Sequence, residues 1–203
     1  MKTIVIASNN AHKAEEIATA LAFPGWEFRT LRELGLDSDP AEDADSFEGN
    51  ARIKAQAARA ASGGLAVLAD DSGLAVDALD GAPGVHSARY AGEPCDDAAN
   101  NAKLLAELAD VPDEKRTGRF VCTLVFIDED GTESVARGTI EGSIGREPRG
   151  SEGFGYDPLF LPDEYGGMRA LAEVSQAEKN GKSHRGNALR VLKKALSQSV
   201  DER

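Results

Sequence analysis

Cysteine, methionine and tryptophan are scarce in this chain: its 203 residues include two, two and one of them, respectively. The two cysteines, Cys95 and Cys122, cannot form the disulfide framework of a small secreted domain and lack metal-ligand spacing. Long apolar runs are also missing, because none approaches the ~20 residues that span a bilayer. The stretch after Met1 is too short and wrongly flanked for a signal peptide. These absences predict a cytoplasmic protein with no membrane partner.

Positive charge is in short supply as well. The chain has 23 lysines and arginines against 35 aspartates and glutamates, a formal net charge of −12. Nucleic acids and anionic membranes are bound through basic patches, so this balance argues against both as partners. It does not exclude a small anionic ligand in a locally basic pocket. A hydrophobic content of 41% with 29% charged residues is typical of a globular protein.

The order of predicted elements indicates an α/β protein. Apolar and β-branched runs predict strands, and apolar residues at helical spacing behind polar caps predict helices. Strands are expected at 2–7, 26–31, 65–69 and 158–162, helices from Ser8, from Ser46, over 96–109 and from Ser183, and a β-hairpin over 119–145 turning at Asp130-Gly131. We therefore expect a mixed sheet in a single domain over residues 1–203, with no separable linker.

The first candidate site lies where the first strand gives way to a helix. Ser8, Asn9 and Asn10 offer polar side chains and free backbone N–H groups there, and Lys13 adds a cation one turn later. Helix N-termini bind phosphate through such groups. Simple capping with an exposed lysine explains the same residues equally well, so both interpretations stay open.

Two adjacent carboxylates, Asp70 and Asp71, end the apolar run at 65–69. Like charges side by side repel, and burying either is costly unless a cation or donor compensates. We interpret the pair as strand-end ligands for Mg²⁺, whose bound water is a nucleophile for phosphorus. The alternative is a solvated turn. Glu42, in an earlier acidic loop, is a candidate further ligand.

Two clusters near the carboxyl end complete the set of candidates. In "GSEGFGYDP" the glycines permit close backbone approach and could expose Phe154 for stacking on a base, although a core role explains it equally well. Asp157 could accept a hydrogen bond from a ring N–H. The second cluster is basic and suits either a polyphosphate or a solvated face: Lys179, Lys182, His184 and Arg185. The sequence contains no Walker A, dinucleotide-binding or nucleophile-elbow motif.

Five blocks of the sequence together resemble a known family. They are "ASNNAHK", "SFEGNARIKA", "ADDSGLAVDALDGAPGVHSARYAG", "EGFGYDP" and "SHRGNAL", in this order. They resemble the inosine triphosphate pyrophosphatase family, and more closely its bacterial dITP/XTP pyrophosphatase branch, over almost the whole chain. The resemblance implies a Mg²⁺-dependent hydrolase that converts non-standard purine triphosphates (dITP, ITP, XTP, dXTP) to monophosphate and pyrophosphate, cleansing the nucleotide pool. It also implies an elongated mixed sheet with two α/β lobes flanking a central active-site cleft, and a homodimer.

The same resemblance implies a role for each motif. Asp71 is expected to be the catalytic base and a metal ligand, acting on a Mg²⁺-associated water that attacks the α-phosphate, with Glu42 as a second ligand. Substrate contacts are expected from Ser8, Asn9, Asn10, Ala11, His12, Lys13, Ser72, Phe154, Gly155, Tyr156, Asp157, Lys179, His184 and Arg185. Among these, the cations offset charge on the phosphates. His184 and Asp157 are the candidates for selecting the 6-keto base.

Two other functions stay open at this point. One is a non-catalytic module that senses nucleotides, which would need the binding residues but not the base Asp71. The other is a related pyrophosphatase that acts on pyrimidine or methylated nucleotides. A panel of triphosphates separates both from the first hypothesis.

Overall fold

A computed structural model describes residues 1–8, 11–21, 23–175, 178–179 and 182–201. The strands are β1 (Lys2–Ala7), β2 (Trp26–Thr30), β3 (Ala66–Val76), β4 (Thr117–Ile127), β5 (Glu133–Ile144) and β6 (Phe160–Pro162). The α-helices are α1 (Ala11–Ala20), α2 (Phe47–Ala61), α3 (Asp97–Glu107) and α4 (His184–Asp201). Short 3₁₀ turns lie at Arg32–Leu34, Asp77–Leu79, Gly84–Arg89, Asp113–Lys115, Asp163–Tyr165 and Leu171–Glu173.

The six strands form one mixed sheet in the order β2-β1-β3-β4-β5-β6. Strand β1 pairs in parallel with both β2 and β3, whereas β5 and β6 are antiparallel. Strands β4 and β5 are neighbours joined by residues 128–132, where Gly131 has φ +87°. The predicted mixed α/β sheet and its hairpin are confirmed. No helix among the described residues is both long enough and apolar enough to cross a membrane.

The predicted strand at 65–69 is too short. Strand β3 runs for 11 residues and passes through Asp70 and Asp71 without a turn. Aspartate is unfavourable in strands, which is why the sequence pattern suggested that the strand ended there. The two carboxylates therefore lie within a strand, and consecutive side chains of a strand point to opposite faces of the sheet.

The chain divides into two compact units. Unit 1 comprises Met1–Asp71, Cys122–Gly138 and Arg185–Arg203, and unit 2 comprises Ser72–Val121 and Thr139–His184. Strands β3, β4 and β5 contribute residues to both units. Because each unit is assembled from separate segments, neither could be recognised as a continuous stretch of sequence.

The core of unit 1 has a layer on each face of β1 and β3. Even-numbered apolar residues of these strands, such as Ile6 and Leu68, pack in one cluster with residues of α1 and α4. Odd-numbered ones, such as Val5 and Val67, pack in another cluster with the alanines of α2. This alternation places Asp70 on the α1/α4 face and Asp71 on the α2 face.

Helix α2 begins where the sequence predicts. Ser46 is its N-cap, and the Ser46 side chain accepts a hydrogen bond from the Gly49 N–H over 3.1 Å. A Cβ at residue 49 would lie 2.6 Å from the Cβ of Ala44, which is why glycine stands there instead of the glutamate of a capping box. The acidic loop before α2 is therefore held close against its first turn.

The core of unit 2 is one cluster. Leu74 and Val76 of β3 pack there with Phe120 of β4 and with Leu104 of α3. Helix α3 is capped by the Asp96 carboxylate, which accepts hydrogen bonds from two backbone N–H groups of its first turn. Unit 2 thus holds α3 in place both by apolar contact and by its cap.

Candidate functional site

The carboxylate of Asp70 is buried in unit 1 and forms ion pairs with two basic side chains. Its Oδ1 lies 2.6 Å from Lys13 Nζ on α1, and its Oδ2 lies 3.2 Å from Arg185 Nε on α4. The thiol of Cys122 on β4 also donates to Oδ2 over 3.0 Å. Burial alone would raise the pKa of Asp70, but Lys13 and Arg185 outweigh it and hold that pKa well below its usual range.

The interpretation of Asp70 and Asp71 as a strand-end couple neutralised by Mg²⁺ is wrong for Asp70. Two side chains of the protein itself, Lys13 and Arg185, compensate this carboxylate from the α1/α4 face. The adjacency of the two aspartates is tolerated because the strand turns their side chains apart and each has its own cation.

The carboxylate of Asp71 faces α2 and pairs with Lys54. Lys54 Nζ lies 2.9 Å from Asp71 Oδ1 and 2.9 Å from Glu42 Oε2, so one ammonium group joins both carboxylates. Burial raises the pKa of Asp71, and Lys54 and Lys13 counteract it only in part. Burial would lower the pKa of Lys54, but the two carboxylates outweigh that effect and the net shift is upward.

The loop that carries Glu42 is tied to α2 by a buried amide. Asn50, which is fully buried, accepts a hydrogen bond at Oδ1 from the Ala44 N–H over 3.0 Å. Asn50 and Lys54 are four residues apart and lie on one face of α2. The same helix face therefore fixes the loop and supplies the ammonium group between Glu42 and Asp71.

The donor set around Asp71 fits a hard divalent cation. Asp71 Oδ2 is buried and has no hydrogen-bond partner among the described residues. That part of the chain contains no group of three His, Cys, Asp or Glu side chains arranged for a metal ion. Mg²⁺ nevertheless needs only one or two protein carboxylates when substrate phosphates and water complete its shell. Asp71 and Glu42 meet that requirement.

The register of β1 places Ser8 next to the strand residues that carry these carboxylates. Ala7, the last residue of β1, pairs with Ala69, so Ser8 follows β1 beside the point where Asp70 and Asp71 begin. Ligands of parallel sheets bind at such carboxyl ends of strands. Asn9 and Asn10 lie outside the described residues. Ala11 and His12 open α1, and their side chains are also outside the description.

In unit 2, the structure brings Asp157 and Lys179 together. Both are buried, and Lys179 Nζ lies 3.0 Å from Asp157 Oδ2. A side chain at residue 153 would collide with both groups, so Gly153, with φ +83°, is the residue that lets the segment pass over them. Phe154 beside it is 40% exposed.

Three other predicted residues of unit 2 have different surroundings. Tyr156 is buried in the core, and its hydroxyl donates to the Ser87 carbonyl over 2.8 Å, so its ring serves packing. The ring of His184 stacks on Phe120, with centroids 5.0 Å apart and planes 17° apart. Ser72 is half-buried on β3.

Comparison with protein families tests the family relationship that the sequence motifs suggest. The model of the Ham1 family matches residues 4–195. The chain belongs to the Ham1 family. Its sequence is 48% identical over 199 residues to the dITP/XTP pyrophosphatase of Exiguobacterium sibiricum, covering 98% of this chain and 99% of that protein. It is 50% identical over 200 residues to the dITP/XTP pyrophosphatase of Mycolicibacterium paratuberculosis, with 97% and 96% covered.

Solved structures of the Ham1 family share the fold. A HAM1 protein from Coxiella burnetii superimposes with a TM-score of 0.88 at 40% identity, covering 98% of this chain and all of that one. The nucleoside-triphosphatase / dITP/XTP pyrophosphatase of Mycobacterium abscessus gives a TM-score of 0.78 at 47% identity, with 94% and 98% covered. The predicted family is therefore confirmed by sequence and by fold.

Lys54 is not among the site residues that the sequence predicts for this Ham1-family chain. Lys54 lies in the block "SFEGNARIKA", which contributed to the predicted helix from Ser46 and to the family resemblance only. Its spacing of four residues from Asn50 is a signal for a shared helix face, and a lysine on that face is the natural partner of an acidic site. Cys122 gave no such signal, because its contact with Asp70 spans 52 residues of sequence.

Proposed function

We propose that this chain hydrolyses non-standard purine nucleoside triphosphates such as dITP, ITP and XTP to the monophosphate and pyrophosphate. The observation that carries the proposal is the Asp71 carboxylate: it is 7% exposed, one of its oxygens has no hydrogen-bond partner among the described residues, and Lys54 and Glu42 adjoin it. Relatives of nearly equal length that are named dITP/XTP pyrophosphatase support the substrate class.

Asp71 acts as the general base in this proposal. It takes a proton from the water that attacks the α-phosphorus, and pyrophosphate leaves. A base is most effective when its pKa approaches the working pH, and burial moves the pKa of Asp71 in that direction. Lys54 restrains the carboxylate through its bond to Oδ1 and leaves Oδ2 for the proton.

The cations of unit 1 offset charge on the phosphates. Lys13 and Arg185 are oriented by Asp70, and Lys54 by Asp71 and Glu42. Phosphoryl transfer depends chiefly on positioning and on stabilising charge, so cations fixed in advance lower the barrier without reorganising.

Asp71 and Glu42 would hold the divalent ion, which we propose is Mg²⁺. When bound, it supplies positive charge that stabilises the developing charge on the phosphate oxygens. Both carboxylates lie 2.9 Å from Lys54 Nζ, which brings the two acidic groups close to each other.

Residues of unit 2 recognise the base. Phe154 offers its exposed ring for stacking, Asp157 accepts from N1–H and His184 donates to the 6-keto oxygen. Lys179 Nζ lies 3.0 Å from Asp157 Oδ2 and restrains this carboxylate as an acceptor. Adenine carries an amino group at position 6 and no proton on N1, so both polar contacts would be mismatched, which can cost several orders of magnitude in rate.

Two further properties belong to the proposal. The family resemblance supports a homodimer, and the scarcity of cysteine supports action in the cytoplasm, where polymerases draw on the nucleotide pool. Neither property is needed for the chemistry assigned to Asp71.

The test is incubation of the purified chain with a panel of triphosphates while both phosphate products are measured. We expect dITP and XTP to give monophosphate and pyrophosphate, with ATP a poor substrate. Release of orthophosphate would exclude attack at the α-phosphorus. Tight nucleotide binding without turnover would favour a sensor, and preference for pyrimidine triphosphates would favour the other pyrophosphatase.

Removal of divalent ions should stop the reaction. Chelation with EDTA is expected to lower the rate on dITP by about 100-fold or more, and added Mg²⁺ should restore it, because the divalent ion supplies several kcal/mol of charge stabilisation. The rate is followed as pyrophosphate release, with circular dichroism before and after chelation as a control for folding. Unchanged turnover after thorough chelation would refute the metal assignment to Asp71 and Glu42.

A further inference from the structure

Both peptide groups that flank Gly155 are held by helix α3. Asp97 Oδ2 accepts a hydrogen bond from the Gly155 N–H over 2.7 Å, and Asn101 Nδ2 donates one to the Gly155 carbonyl over 2.8 Å. Asp97 and Asn101 are four residues apart, so they lie on the same face of α3. One helix face therefore binds Gly155 through both of its peptide groups. Gly155 belongs to the base-binding segment, residues 154–157, which the proposed function assigns to base recognition.

Gly155 is a residue whose conformation needs such restraint. Its φ is +61°, in the left-handed region that glycine enters freely. A glycine visits many conformations at little cost, so the local chain alone does not fix the direction in which Phe154 projects. Rotation about the N–Cα or Cα–C bond of Gly155 would move the peptide groups that α3 holds. The two hydrogen bonds therefore restrict both rotations.

The restrained segment carries two of the three residues that the proposed function assigns to base recognition. The Phe154 N–H donates to Asp157 Oδ2 over 3.4 Å, and the Asp157 N–H donates to the Phe154 carbonyl over 3.3 Å. A shift at Gly155 would therefore be transmitted to the stacking ring and to the polar acceptor together.

We infer that Asp97 and Asn101 are positioning residues that hold Phe154 and Asp157 for base recognition. This inference rests on the proposed function of the segment. The amide of Asn101 supports it: its Oδ1 is buried and has no hydrogen-bond partner among the described residues. An unpaired buried acceptor is unfavourable, so packing alone does not account for asparagine there, whereas the bond to Gly155 does.

The neighbouring residue offers a matched control. Asn100 is also a buried asparagine of α3, but its amide bonds to the backbone of Ala88 and Ala91. We expect Asn101→Ala to raise KM for dITP about five- to tenfold with kcat nearly unchanged, because base stacking contributes equally to ground state and transition state. Asn100→Ala should leave KM unchanged. An equal rise in both variants would overturn the inference, since it would reflect general loosening of α3.

Substitutions of Asp97 provide a second test of the positioning role. Asp97→Ala removes the acceptor for the Gly155 N–H, whereas Asp97→Asn retains an acceptor oxygen. KM should therefore rise in the alanine variant and return close to the wild-type value in the asparagine variant. Asp97 is exposed, so this pair remains informative if Asn101→Ala does not fold. Equal KM values for Asp97→Ala and the wild type would contradict the role of Asp97.

Phe154→Ala separates failure of the inference from failure of the proposed function. Loss of base stacking should raise KM for dITP about tenfold. If it does and the Asn101 and Asp97 variants do not, the positioning role alone is wrong. If Phe154→Ala leaves KM unchanged, the assignment of the base-binding segment is wrong, and the positioning role falls with it.

Discussion

Replacing Asp71 with asparagine is expected to lower kcat for dITP by about 10³-fold while the protein stays folded. Asparagine keeps the shape of the side chain and removes the proton acceptor, and general-base contributions are typically 10²–10⁴-fold. The stability cost should be small, because burial disfavours the charged form of Asp71 and its pKa is raised. Pyrophosphate release at saturating dITP and Mg²⁺ measures the effect, and chemical denaturation checks the fold.

Asp77 provides the matched control for this experiment. It directly follows β3 and is exposed, where it pairs with Arg119 2.9 Å away. Asp77→Asn removes the same charge from the same chain segment without touching Lys54 or Glu42, so kcat should stay within about twofold, as expected for a surface ion pair. If kcat for dITP were the same in the Asp71→Asn and Asp77→Asn variants, Asp71 would not be the general base.

The fold class and the family could be predicted from the sequence because their signals are local. Strand and helix patterns, the Ser46 cap and the Asp130-Gly131 turn each depend on a few consecutive residues. The five blocks that carry the family resemblance are also continuous stretches. The family prediction therefore needed no knowledge of how distant parts of the chain meet.

The electrostatics of the site could not be predicted in this way. The partners of Asp70 are 57 and 115 residues away in sequence, at Lys13 and Arg185, and no spacing rule connects them. Ending the predicted strand before Asp70 also hid the strand alternation that directs Asp70 and Asp71 to opposite faces. Once β3 is known to continue, that alternation shows why each carboxylate needs a separate cation.

Asp70→Asn is expected to destabilise the protein by about 3–5 kcal/mol at neutral pH, because removing one member of a buried ion pair leaves an uncompensated charge. In this variant Lys13 and Arg185 lose their carboxylate, and Arg185 is 3% exposed and poorly hydrated. Equilibrium denaturation by urea at pH 7 measures the change in the free energy of unfolding.

The matched control is Glu133→Gln, which removes one negative charge from an exposed pair with Arg52 and should cost about 1 kcal/mol or less.

The pH dependence of the free energy of unfolding gives a second check. The folded-state pKa of Asp70 is lowered, so its stabilisation is complete above the unfolded-state value of about 3.9 and is lost as the pH falls below it. The stability gap between wild type and Asp70→Asn should therefore narrow below about pH 4. A gap no larger than that of Glu133→Gln at pH 7 would show that Asp70 does not compensate Lys13 and Arg185, and the explanation for two adjacent aspartates within one strand would fail with it.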